Sequence, residues 1–282
     1  MSQRQKVAFI TGISRGLGKA VAEAFLSRGD FVIGTSRSGK ADIQQDSGEL
    51  HVLPLDVTNR EQVFRTVAGA HAIHRRIDVV VNNAGFGLLG AIEESSAADT
   101  QEVMGVNFFG TLNVTQAVLP ILRAQGSGHI VNISSIAGIA PRAGYGLYAA
   151  AKFAVEGMSE SLAEELRPLG IHVTVVEPGG FRTDFLSERS IRRTSANIDA
   201  YSATSGEMVR RLSQSDGKQI GNPAMGAKAI LQAIDSPAPP LHLLLGSDAL
   251  GRARSKLGEI TEEIDKWEAL TLSTDFAQAA KG

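Results

Sequence analysis

The 282-residue chain predicts an α/β fold, a single doubly wound parallel sheet of about seven strands with helices on both faces. Three observations carry that expectation. Short apolar runs alternate with longer helical patterns along most of the chain. Most of these runs are continuously apolar, as strands covered by helices on both faces are. Between the first run and the first helical pattern stands a glycine-rich turn, Thr11-Gly12-Ile13-Ser14-Arg15-Gly16-Leu17-Gly18.

In chain order the strands are expected at 7–11, 31–35, 51–55, 77–82, 129–134, 171–177 and 241–245, and the helices near 17–28, 60–74, 99–124, 148–168, 223–235 and 249–270. This order implies βαβ units with right-handed crossovers. One domain is expected over 1–282, with a helical extension at 249–282. The polar stretch 180–222 interrupts the regularity and carries two Arg-Arg pairs. It reads either as a solvated loop or as a lid covering a substrate, because strand-end loops hold ligands in such sheets. In the last helix Leu250, Ala253, Leu257, Ile260, Ile264 and Trp267 recur every three or four residues. Such a stripe must pack on something, and docking within the chain is the expectation.

Composition excludes several classes. A net charge of -2 gives no electrostatic footprint for nucleic acid or an anionic membrane. The absence of cysteine removes disulfides, thiolate metal sites and thiol nucleophiles. The six histidines are scattered, and His71 with His74 read as surface residues, so no metal is implied. The polar lead into the first strand lacks a signal-peptide core, and no apolar run approaches the ~20 residues of a membrane span. A soluble, cytoplasmic protein is expected.

A strand, glycine turn and helix start aim backbone N–H groups and the helix dipole at a phosphate. Glycine is wanted at Gly12, Gly16 and Gly18 because a Cβ would crowd the turn or the ligand. The fourth strand ends in Asn82-Asn83-Ala84-Gly85, where small and amide side chains admit a ligand and bond nearby backbone. Taken with Tyr148-x-x-x-Lys152, Asn107 and Asp56-Val57, T-G-x-x-x-G-x-G and N-N-A-G resemble the shorter, single-domain branch of the short-chain dehydrogenase/reductase family, closely over residues 5–185.

That resemblance implies a Rossmann-like three-layer sandwich and an NADP(H)-dependent oxidoreductase, with Asn107, Ser135, Tyr148 and Lys152 as its catalytic set. The second strand ends in Thr35-Ser36-Arg37 with no carboxylate to bond a ribose 2′-hydroxyl. Ser36 leaves room for a 2′-phosphate, and Arg15 and Arg37 can supply charged donors to it, so NADPH is expected over NADH. The expected nucleotide set is Gly12, Ser14, Arg15, Gly16, Leu17, Gly18, Ser36, Arg37, Asp56, Val57, Asn83, Ala84, Gly85, Tyr148, Lys152, Pro178, Gly179 and Thr183. In the family, Asp56 would bond the adenine amino group, although a capping role is equally natural. Pro178-Gly179 would back the nicotinamide, and Thr183 would bond its carboxamide. Asn107 would hold a water linking Lys152 to bulk, or else be satisfied internally.

Tyr148 and Lys152 lie one helical turn apart, on one face. Hydride delivery to a carbonyl creates alkoxide character that needs a proton donor, and a free phenol titrates too high for easy reversible transfer. The Lys152 ammonium is expected to lower that value. Of Ser134 and Ser135, strand alternation lets one face the cleft, and the family spacing favours Ser135 for the oxyanion role. The expected substrate is a ketone, aldehyde or secondary alcohol, apolar in view of residues 136–140 and the phenylalanines at 181 and 185. A homo-oligomer, dimer or tetramer, is expected. The rival readings are a non-catalytic NADP(H) sensor or interaction protein on the same fold, and a sugar-nucleotide epimerase of the longer branch, whose T-G-x-x-G-x-x-G is not found here.

Overall fold

The computed structural model describes residues 4–45, 47–187 and 190–276. Residues 188–189 of the 180–222 segment and 277–282 of the C-terminal extension therefore lie outside the described residues. The elements run β1 (Val7–Thr11), α1 (Gly16–Ser27), β2 (Phe31–Ser36), β3 (Glu49–Pro54), α2 (Arg60–His74), β4 (Val79–Asn82), β5 (Gly87–Leu89), α3 (Ala97–Met104), α4 (Gly110–Gln125), β6 (Gly128–Ile133), α5 (Gly146–Leu166), β7 (Ile171–Pro178), β8 (Ile191–Arg193), α6 (Glu207–Gln214), α7 (Pro223–Ile234), β9 (His242–Leu245) and α8 (Ser247–Leu272).

Seven strands form one parallel sheet in the order β3-β2-β1-β4-β6-β7-β9. Phe9 stands between Ile33 on β2 and Val80 on β4. Winding runs outward in one direction from β1 and in the other from β4. Between them the strand ends open a crevice, the usual ligand position of such sheets.

Successive residues of a strand point to opposite faces, so each strand feeds two cores. Phe9, Ile33, Val80 and Ile130 face Val63 and Val67 of α2, Val114 and Val118 of α4 and Leu162 of α5. Ile10, Val32, Val81 and Val131 face Val21 and Phe25 of α1 and Ile230 and Ile234 of α7. Each such side chain contributes about 1.5–3 kcal/mol through burial.

Three departures from the sequence reading matter for the site. The helix expected at 99–124 is two helices joined by a π-helical turn, Gly105–Phe109, centred on buried Asn107. The wider turn lets Gly110 meet Val57, where a Cβ would stand 2.5 Å from the valine methyl. The joined stretch Ala97–Gln125 is also long and apolar enough on composition for a membrane span, contrary to the sequence reading, and half of its most apolar window is buried inside the protein. Second, β5 and β8 form a small parallel sheet of their own. Third, α8 does not dock along its length: Ala249 and Ala253 are buried with Ile136 and Ala140, while Leu257, Ile264 and Trp267 are 58%, 63% and 56% exposed. The three-four spacing identified an apolar face and said nothing about what would cover it.

Candidate active site

The glycine turn is held from behind. Gly12 and Ile13 donate their amides to the Thr35 carbonyl at 2.9 and 3.0 Å, which ties the turn to the end of β2. Asn83 donates its side-chain amide to the Thr11 and Gly12 carbonyls at 3.0 and 2.9 Å. The Thr11 hydroxyl accepts from the Asn83 and Ala84 amides, both at 3.0 Å. Gly12 and Gly16 adopt φ of 73° and 63°, the left-handed region that favours glycine. Among the described residues no side chain caps α1, so its first amides point outward, as an anion site requires.

This turn forms one end of a cavity of about 520 Å³. Gly12, Ser14, Arg15, Gly16 and Leu17 line it together with Asn83, Ala84 and Gly85. Asn107, Ser135, Tyr148 and Lys152 line it further along, as do Pro178, Gly179 and Thr183. A cavity lined both by a glycine turn and by the titratable Tyr148 and Lys152 offers the groups a dinucleotide needs. In its lining, a Cβ on Gly85 would stand 2.6 Å from the Asn107 carboxamide oxygen.

Five expected residues do not reach the wall. Gly18 acts from behind, against Asn83. The Ser36 hydroxyl is engaged in its own turn, donating to the Lys40 carbonyl at 2.8 Å and accepting from the Lys40 amide at 3.0 Å. Asp56 accepts from the Thr58 amide and hydroxyl at 2.9 and 2.7 Å, a turn contact ahead of the α2 cap at Asn59. Val57 packs on Gly110 and accepts from the Asn113 amide through its carbonyl at 3.0 Å. Arg37 is exposed, two positions beyond the Thr35 that anchors the turn. Arg15, by contrast, donates to the Ser190 hydroxyl at 2.7 Å, linking the turn to the 180–222 segment. Thr183 uses its hydroxyl to accept from the Phe185 amide at 3.2 Å and sits beside Gly16.

Tyr148 and Lys152 are both buried on the first turns of α5. The Ser135 hydroxyl accepts from the Ala137 amide at 3.1 Å and lies near enough to Tyr148 to act on its phenol. Ser134 points elsewhere, toward Glu156. Lys152 donates to the Ile133 carbonyl at 2.9 Å, and its nitrogen lies 5.7 Å from the Tyr148 ring centroid. Asn107 donates to the Phe86 and Val103 carbonyls at 3.0 and 2.9 Å and accepts from the Phe86 amide at 3.2 Å. Its side chain is thus satisfied within the protein and fastens the approach to β5.

One electrostatic expectation is corrected. Burial pushes the Tyr148 phenol up to about 12, with the Ser135 hydroxyl opposing, so its ordinary value is raised and not lowered in the protein alone. Burial likewise brings Lys152 down to about 8, and the Glu156 carboxylate one turn on opposes that. Glu156 itself is raised to about 7, chiefly by burial. Glu177 is also raised by burial, although His242 donates to it at 2.8 Å.

Glu156 makes stability depend on pH in the direction opposite to a salt-bridged carboxylate. Between about 4.5 and 7 the unfolded chain has released a proton that the folded chain keeps, so stability is lost as pH rises through that window. Glu156→Gln should flatten the loss by about 3 kcal/mol at most, read from urea midpoints at pH 5 and pH 7.5. Parallel pH profiles for the two proteins would refute it.

Several lining residues carried no local sequence signal. Arg252 on α8 donates to the Tyr145 hydroxyl at 2.9 Å and to the Ala140 carbonyl. Asp248 accepts from the Gly180 amide at 2.8 Å and fills the space a Cβ on Gly179 would need. The small sheet joins Ser190 and Ile191 to the cavity wall, with Gly87 donating to the Ser190 carbonyl at 2.9 Å and the Phe185 ring 5.9 Å from that of Tyr148. Leu88, Leu89, Ile136, Leu186, Ile191 and Leu212 make this end apolar.

A family model described as short chain dehydrogenase matches residues 6–194. Oxidoreductase BOA17 of Botryotinia fuckeliana is 40% identical over 95% of this chain and 99% of its own. A 3-ketodihydrosphingosine reductase of Bacteroides thetaiotaomicron is 36% identical over 86% and 88%. Among solved structures, a short-chain dehydrogenase from Streptomyces avermitilis superposes with a TM-score of 0.88 at 38% identity, covering 98% of this chain and all of that one. A Burkholderia phymatum enzyme in complex with NAD gives 0.80 at 26% identity, covering 93% and 96%. A metagenomic oxidoreductase in complex with NADP gives 0.65 at 26%, covering 87% and 98%. With the glycine turn, the buried tyrosine–lysine pair and this match over most of its length, the chain belongs to the short chain dehydrogenase family and is an oxidoreductase.

Proposed function

We propose that the protein reduces apolar ketones or aldehydes with NADPH and oxidises the corresponding alcohols in reverse. One observation carries the reading: the Tyr148 and Ser135 hydroxyls and the Lys152 ammonium border the cavity whose far end is the glycine turn. A bound nicotinamide supplies or takes up the hydride. Ser135 holds the substrate oxygen as negative charge grows on it. Tyr148 donates the proton in reduction and takes it back in oxidation. A phenol held near 12 by burial is the acid form, ready to donate. Lys152 tunes Tyr148 and anchors the ribose side, while Asn107 positions the wall through Phe86. Pro178, Gly179 and Thr183 would hold the nicotinamide end. The apolar lining around Phe185 and Leu186 supports an apolar substrate, as does the 3-ketodihydrosphingosine reductase named among the relatives. The test is NADPH consumption over a panel of ketones, aldehydes and quinones. Turnover of long-chain ketones is expected, and no consumption across the panel would overturn the reading.

The preference for NADPH rests on the end of β2, where Ser36-Arg37 present a cation and no carboxylate beside the anchored turn. A charge-assisted hydrogen bond contributes about 1.5–3 kcal/mol, so Arg37→Ala should weaken NADPH at least roughly tenfold. NADH affinity should barely change. Fluorescence titration of both nucleotides decides it, and equal weakening of the two would defeat the phosphate argument.

A further inference from the structure

The outer part of α8 leaves the body of the protein. Leu257, Ile260, Ile264, Trp267 and Leu270 are 58%, 38%, 63%, 56% and 60% exposed on a helix that, among the described residues, is buried against the domain near its start, at Ala249 and Ala253. From Leu250 to Trp267 the spacing is three, four, three, four, three, the alternation of a 3.5-residue period, and Leu270 stands beside that seam. That period keeps an apolar seam facing a second helix that wraps around it.

Charges beside the seam identify the second helix. Arg254 and Lys256 flank it at the inner end, and Glu263 and Glu268 flank it at the outer end. Parallel pairing of two copies would gather the basic inner ends together and set Glu263 against Glu268 at the outer end. Antiparallel pairing sets Lys256 against Glu263 of the other copy and Arg254 against Glu268, and by symmetry each pair occurs twice. Both pairings centre the two-fold axis near Ile260 and Thr261. Five exposed apolar side chains from each helix would bury on the order of 1,000 Å² in total, the lower size of a specific interface. A lipid surface fits poorly: the face away from the seam carries Glu259, Glu262 and Asp265 against one Lys266, whereas interfacial helices carry cations there.

We infer that the exposed half of α8 is a contact surface for a second copy of this chain, paired antiparallel about an axis near Thr261. The native chain contains no cysteine, so a single introduced thiol reports position without background. Under mild oxidation of the full-length protein, Thr261→Cys should give a two-chain disulfide species. Glu268→Cys alone should not, but mixed with Arg254→Cys it should. Sedimentation should show Arg254→Glu/Lys256→Glu one step lower in assembly than the native chain. The fourfold swap that adds Glu263→Lys and Glu268→Lys should restore the native state. Failure of Thr261→Cys to cross-link, cross-linking of Glu268→Cys by itself, or co-pelleting of the native chain with phosphatidylcholine vesicles instead of self-association would each overturn the inference.

Discussion

Tyr148→Phe is expected to lower turnover by about 10²–10⁴-fold while leaving nucleotide affinity and folding nearly unchanged. The ring does structural work that phenylalanine can take over. It is buried beside Leu88, Leu89 and Ala149, lies 5.9 Å from Phe185 and has the Lys152 ammonium 5.7 Å from its centroid. None of those contacts needs the hydroxyl. What the variant lacks is the phenolic proton donor that lines the cavity with Ser135. Loss of kcat with an intact NADPH titration therefore isolates proton transfer from binding. Near-native turnover would mean that another group carries the proton, and the proposed mechanism would fall. Ser135→Ala is a weaker test, because its hydroxyl also accepts from the Ala137 amide and shapes the local turn.

Gly18→Ala should be damaging for a different reason. In the interior of a helix alanine is normally better than glycine by about 0.5–1 kcal/mol. Here a Cβ would overlap the Asn83 amide nitrogen and stand 2.5 Å from the Gly12 carbonyl oxygen. Those are the atoms that hold the turn, so neither can retreat without reshaping the cradle. Overpacking of this kind costs about 1–3 kcal/mol, which lowers the melting temperature by several degrees in a protein of this size. Nucleotide affinity should fall with it, since the displaced amides are the proposed phosphate donors. Gly69→Ala supplies the contrast: it lies on α2 with nothing within 4 Å of the place its methyl would take, and should be neutral or stabilising. Equal melting temperatures for the two variants would show that the turn yields more readily than its contacts indicate.

The parts of this molecule legible without coordinates are those written in local pattern. Continuous apolar runs at 7–10 and 79–81 mark strands because a strand buried on both faces has no polar side to show. Glycines at 12, 16 and 18 mark the turn because Gly12 and Gly16 take a left-handed backbone and Gly12 and Gly18 meet other backbone closely, and Tyr148 with Lys152 share a face because four residues make a helical turn. The wider turn at Asn107 was less legible. An asparagine among apolar residues signals a polar group needing partners, but the partners, Phe86 and Val103, follow only from how the helix lies against β5.

By itself, then, the sequence determined the alternation of strand and helix that builds a parallel sheet, the glycine turn before α1 and the tyrosine–lysine pair, since each depends on neighbours within a few residues. Tertiary structure alone decided that Arg252 reaches Tyr145 across more than a hundred positions, that an exposed His242 sits over the buried Glu156 and Glu177, and that α8 turns its apolar seam outward. Burial raises the phenol for the same reason: desolvation depends on everything packed around a group, and no short window of residues records what will enclose it.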